Sequence, residues 1–203
     1  MAANSIASNV LERIKSKKRG SIHRAKDFLD LGSRGAIDLT LYRLEKANVL
    51  NRVTRGLYVY PEISKRLGPL SPSADAVASF IARKKMKSKL QVSGARAANN
   101  LGLSTQVPAK PLYLTDGGAR TFKTHGSTIR FRAARPRMLA GAGKVSGDVF
   151  QALRYLGRGR VNDTTVRSLR KRLSQADKGA LLTDILPEAP DWMRPVLEQI
   201  AVG

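Results

Sequence analysis

The chain has 203 residues, with 37 Lys or Arg against 15 Asp or Glu, a formal charge of +22 and a sequence pI near 11.1. That field favours a polyanionic partner over a neutral metabolite, and a hydrophobic content of 42% suffices for one large core or two small ones. Cysteine is absent, which excludes disulfides and thiolate metal sites and fits a reducing compartment.

The start, MAANSIASNVLERIKSKKRG, is an amphipathic helix over about Ser5–Lys17 with Ile6, Val10, Leu11 and Ile14 on one face. A basic run and Gly20 end it, and it lacks the apolar core of a signal peptide. No stretch approaches the ~20 apolar residues of a membrane span. The expectation is a cytoplasmic protein without membrane association.

From Ser21 to Pro61 the order is a short strand, a short helix (Ala25–Leu31) closed by Gly32, a second helix from Ser33 to about Ala47, and a β-hairpin. Ser33 suits the N-cap because its hydroxyl can accept a free N–H of the first turn. Ile37, Leu41 and Leu44 form the inward face of the second helix. Arg34, Gly35, Asp38, Leu39, Tyr42, Arg43 and Lys46 then fall to the side or outside. Val49–Thr54 and Leu57–Tyr60 are β-prone, and Arg55-Gly56 between them suits a tight turn.

This is the order of a winged helix-turn-helix, in which the second helix enters the major groove and the hairpin lies on the backbone. The candidate DNA contacts are Arg34, Tyr42, Arg43 and Lys46 on the helix, with Arg52, Arg55 and Gly56 in the wing. Arg34 and Arg43 suit base or phosphate contacts, whereas Arg52 and Arg55 suit phosphates.

Pro61–Pro72 carries Pro and Gly at Pro61, Gly68, Pro69 and Pro72 and reads as a linker. Ser71-Pro72 then opens a helix to about Lys87 with a basic end at Lys84, Lys85, Lys87 and Lys89. A strand at Leu90–Ser93 and a helix at Ala95–Leu101 follow. Strands are expected at Pro111–Thr115, Arg120–Thr124 and Thr128–Ala133, joined at Asp116-Gly117-Gly118 and His125-Gly126. In the last strand Ile129 and Phe131 alternate with Arg130 and Arg132, so one face is apolar and the other basic. From Ser146 on the chain reads as helical, with Asp163 capping one helix and Pro187 and Pro190 separating the last two.

The charge is uneven: residues 1–66 carry +8, 67–144 carry +12 and 145–203 carry +2. Catalytic candidates are few. His23 and His125 each sit beside a turn or strand start, while Asp75 suits a helix first turn and Asp116 a turn. Gly141-Ala142-Gly143-Lys144 lacks both the earlier Gly and the following Ser or Thr of a phosphate-binding loop. No metal-ligand spacing occurs, and neither catalytic residues nor a cofactor are expected.

The runs RVTRGLYVYP (Arg52–Pro61), LGPLSPSADAVA (Leu67–Ala78) and GARAANNLGLSTQVPAKPLYLTDG (Gly94–Gly117) resemble the AbiEi family of antitoxins from bacterial type IV toxin-antitoxin systems, in particular its shorter members. QALRYLG (Gln151–Gly157) and APDWM (Ala189–Met193) are similar too. The resemblance implies a winged helix binding repeats in its own promoter, and a C-terminal region tied to antitoxin activity. It also implies a nucleotidyltransferase toxin as functional partner, without a stable complex. By the same resemblance Arg43, Arg52, Arg55 and Gly56 fall where DNA contacts belong.

The expected fold class is α+β: an N-terminal winged helix-turn-helix, 1–66, followed by a mixed α/β and helical antitoxin-type domain, 67–203. The expected function is a non-enzymatic DNA-binding autorepressor and antitoxin. The alternative is an RNA-binding protein gripping structured RNA through Lys84–Lys89 and Arg130, Arg132, Arg135 and Arg137.

Overall fold

Ser5 starts the first helix, α1 (Ile6–Lys15), by accepting the Ser8 N–H on its side chain. The computed structural model describes residues 5–124 and 126–202. The chain is α+β, and its contacts divide it into two compact units. One runs to Phe80 and includes Phe122–Thr128; the other is Ile81–Thr121 with the chain from Ile129 on.

In the first unit α1 is followed by β1 (Ile22–His23), a 3₁₀ turn (Ala25–Phe28), α2 (Arg34–Lys46), β2 (Asn51–Thr54) and β3 (Leu57–Val59). The strands form an antiparallel sheet in the order β1-β3-β2. The short helix predicted to reach Leu31 is therefore one 3₁₀ turn. β2 begins later than Val49 because the N–H groups of Val49 and Leu50 go to Leu44 O at the end of α2. Val10 and Ile14 of α1, Phe28, Ile37 and Leu41 of α2, Leu50 and Tyr58 pack into one core, with Leu44 at its margin. A bidentate pair from Arg13 to Asp30, 2.7 Å on each side, ties α1 to the segment before α2.

The expected linker folds back instead. β4 (Ile63–Ser64) pairs with β5 (Gly68–Pro69), and Leu70 N–H donates to Glu62 O at 2.7 Å. α3 (Ala74–Phe80) is capped by Ser73, whose Oγ accepts from Ala76 N at 3.1 Å, so the cap is Ser73 and not Ser71. Pro72, Ser73 and Ala76 share a cleft with Gly20, Val59 and Glu62, and the Arg24 guanidinium lies 6.0 Å from the Phe80 ring. These contacts carry the division to Phe80, beyond the boundary expected between Arg66 and Leu67.

The second unit opens with a wide π-type turn, Ile81–Met86, followed by β6 (Gln91–Val92) and α4 (Gly94–Asn100). Next in the chain come β7 (Leu112–Thr115), β8 (Arg120–Lys123), whose residues from Phe122 on count with the first unit, and β9 (Thr128–Ala133), which counts with the second from Ile129 on. The sheet order is β6-β7-β9-β8, with β7 and β9 parallel and in register from Leu112↔Arg130 to Thr115↔Ala133. β9, which buries Ile129 and Phe131, takes the central place, while β8, exposed at three of four positions, stays outermost. The predicted turn residue His125 lies outside the described residues.

Four helices close the fold: α5 (Val145–Leu156), α6 (Asp163–Arg172), α7 (Gln175–Ala180) and α8 (Arg194–Ala201). Their apolar stripes, with Ala97 and Ala98 of α4, form the larger core around Phe150, Leu153, Leu169 and Leu197. Asn162 caps α6 by accepting from Thr165 N at 3.1 Å, which puts Asp163 inside the first turn and not at the cap.

Candidate nucleic-acid interface

α2 is fixed at its start by Ser33 Oγ, which accepts the Ala36 N–H. It is fixed from below by Ile37 and Leu41, both fully buried. With that face pinned, the 3.6-residue period leaves Arg34, Asp38, Leu39, Tyr42, Arg43 and Lys46 in solvent. Leu39 and Tyr42 are 49% and 51% exposed. The Lys46 ammonium lies 5.5 Å from the Tyr42 ring centroid, one helical turn away. Arg34 Nε donates to Asp38 Oδ2 at 2.8 Å; an exposed i,i+4 pair holds it by only about 0.3–0.5 kcal/mol. A phosphate can therefore displace Asp38.

Beside α2, the β2–β3 hairpin turns at Arg55-Gly56, with Thr54 facing Leu57. Gly56 has φ +74°, a conformation costly for other residues, and a Cβ there would meet nothing within 4 Å, so conformation alone selects glycine. Arg52 and Arg55 are exposed. β3 is buried throughout, and burial raises the Tyr58 phenol above its ordinary pKa. The hairpin thus has a fixed base and two exposed cations, Arg52 and Arg55.

All seven predicted residues lie in the first unit, on α2 and the hairpin, and the six with side chains are exposed. Sequence reasoning missed a cleft of about 420 Å³ between the end of α2 and β2, lined by Lys46, Asn48, Asn51 and Arg52 among others. Asn48, at φ +56°, turns the chain out of α2, and an Asn just past a helix end was the available signal.

His23, Asp116 and Lys144 have structural partners. His23 is buried, with Nε2 2.8 Å from Ser21 Oγ and its ring 5.7 Å from that of Phe28. Burial lowers its pKa. Asp116 accepts the Lys89 N–H at 2.7 Å, and Lys144 Nζ reaches Asp184 at 2.8 Å. At Gly141, φ +64°, a Cβ would stand 2.7 Å from Gly147 N, so Gly141 serves close packing on α5. Among the described residues no group of three or more His, Cys, Asp or Glu could hold a metal ion, and no helix is long and apolar enough to cross a membrane.

A family model described as a family of unknown function, DUF6088, matches residues 9–181, and the chain belongs to that family. No curated protein matches it in sequence. Among solved structures it is similar to the crystal structure of the RV2827C protein from Mycobacterium tuberculosis, at 15% identity and a TM-score of 0.48. That similarity covers 96% of this chain and 77% of the other.

Proposed function

We propose that the protein is a cytoplasmic autorepressor that binds duplex DNA in its own promoter and acts as the antitoxin of a nucleotidyltransferase-type toxin. The observation that carries the first half is the pairing of an anchored helix, exposing Tyr42, Arg43 and Lys46, with a hairpin exposing Arg52 and Arg55. A helix of this kind fits the major groove, and guanidinium groups beside it suit phosphates. The AbiEi-like runs, Gly94–Gly117 above all, support the second half. The protein works by binding, without a catalytic set or cofactor, and opposes the toxin without forming a stable complex with it.

The test has two arms. Mobility shifts compare the DNA upstream of the gene with random duplex of equal length at about 0.15 M salt, where preference for the upstream DNA is expected. Equal binding overturns the repressor, and preference for structured RNA moves the assignment to RNA binding. In cells arrested by a nucleotidyltransferase encoded beside this gene, co-expression is expected to restore growth; continued arrest, or the absence of such a gene, overturns the antitoxin half.

A further inference from the structure

The end of α2 and the start of β2 border a cleft of about 420 Å³ that lies wholly within the first unit. Its walls follow from local geometry. Asn48, at φ +56°, turns the chain out of α2, and the Val49 and Leu50 N–H groups close on Leu44 O at 2.9 and 3.2 Å. Asn51 thereby lines the same cleft as Glu45 and Lys46. Beyond the paired strands β4 and β5, the bond from Leu70 N–H to Glu62 O at 2.7 Å folds the chain back and brings Ser71 to the cleft that Arg52 also lines.

Six polar side chains, Glu45, Lys46, Asn48, Asn51, Arg52 and Ser71, thus converge on one space, and none makes a hydrogen bond or ion pair to the described residues. Comparable groups elsewhere in this unit are partnered. Arg13 has Asp30, Arg34 has Asp38, Ser33 caps α2 and Ser73 caps α3. The Lys46 ammonium has only the Tyr42 ring, 5.5 Å away, a contact that leaves its N–H groups unused. Leu50, the apolar residue of the lining, is 1% exposed and offers no apolar floor.

We infer that this cleft binds a small phosphate ester with a hydroxylated body, a sugar phosphate or a nucleotide, and that the bound ester competes with DNA for Lys46 and Arg52. The two cations suit the phosphate. A carboxylate accepts hydrogen bonds only, so Glu45 calls for a body that donates them, and the two carboxamides and the Ser71 hydroxyl serve donors and acceptors alike. The volume, about 420 Å³, falls within the ~300–1,000 Å³ of small-molecule sites. A seat for duplex backbone fits less well, because Glu45 would stand against a row of phosphates. The competition rests on the promoter reading; binding of the ester does not.

Calorimetric titration of the full chain, without DNA, uses adenosine monophosphate, ribose phosphate, inorganic phosphate and ribose. One ester is expected to bind one to one and at least tenfold more tightly than inorganic phosphate or ribose, and the better ester tells nucleotide from sugar phosphate. No binding of either ester at millimolar concentration overturns the inference, as does inorganic phosphate binding equally tightly. Asn51→Val, which suits a β-strand, and Ser71→Val, outside any helix or strand, leave Lys46 and Arg52 in place. Each should weaken the ester about tenfold with circular dichroism, urea midpoint and DNA affinity unchanged. Wild-type ester affinity in both variants overturns the assignment to this cleft. In mobility shifts, ester at ten times its Kd should weaken DNA binding by the wild type about tenfold. Unchanged DNA binding by ester-saturated protein overturns the competition. Upstream and random duplex are compared in the same gels without ester, so loss of upstream preference there refutes the promoter reading and leaves the calorimetry standing.

Discussion

Individual side chains of α2 and the hairpin divide into those that hold position and those proposed to contact DNA, and the two kinds should fail differently. Arg55→Ala should weaken binding to every duplex and lower the salt slope by about one unit, as loss of one phosphate contact does. Arg43→Ala should cost about 1–3 kcal/mol on upstream DNA and relax preference at one base pair. Equal loss on random duplex would assign Arg43 to the backbone. Gly56→Ala should instead lower stability by about 1–2 kcal/mol through its positive φ, read as a shift in urea midpoint. His23 supplies a pH dependence. Its folded pKa is lowered by burial, so the unfolded chain binds the proton more readily. Stability from this residue is present above the unfolded value of ~6.5 and declines as pH falls through it. Urea midpoints should drop between pH 7.5 and 5.5 in the wild type and drop less in His23→Gln.

At the scale of elements, the start of α2 matters most to the proposed interface, because Ser33 sets where the exposed face begins. Ser33→Ala should cost about 1 kcal/mol in thermal or urea unfolding. An unchanged midpoint would show that the tertiary anchors Ile37 and Leu41 suffice. The helices and their inward faces were legible in the sequence because apolar spacing of three and four is a local property, as with Val10 and Ile14 or Val166 and Leu169. The exposed α2 face followed as the complement of Ile37 and Leu41. Caps were less legible: Ser73 and Asn162 replaced Ser71 and Asp163, since adjacent residues offered equally good oxygens and only backbone geometry chooses. Strand order was not legible at all. Placement of β9 between β7 and β8 depends on pairing across distant residues, and alternation in TIRFRA reports which face is buried but not which neighbour. The Asn48 and Asn51 cleft is built mostly from neighbours in sequence, and its local signal, an Asn just past the end of α2, was the one to read.

For the whole molecule, the division after Phe80 predicts how the chain can be cut. Val77, Ala78 and Phe80 are buried, so a fragment ending at Phe80 should melt cooperatively and at a higher temperature than one ending at Arg66. Equal melts would place α3 outside the first unit's folding. The outer strands of the four-stranded sheet carry a different consequence. β6 has two residues, and β8 presents Arg120, Thr121 and Lys123 to solvent. Open strand borders recruit further strands from other molecules, and shortness and positive charge are the usual deterrents. A border of two residues and a border carrying Arg120 and Lys123 both oppose edge-to-edge pairing between copies of the chain. Replacing Arg120 and Lys123 with valine should turn a clear concentrated solution turbid and raise thioflavin fluorescence, the mark of strands paired between molecules.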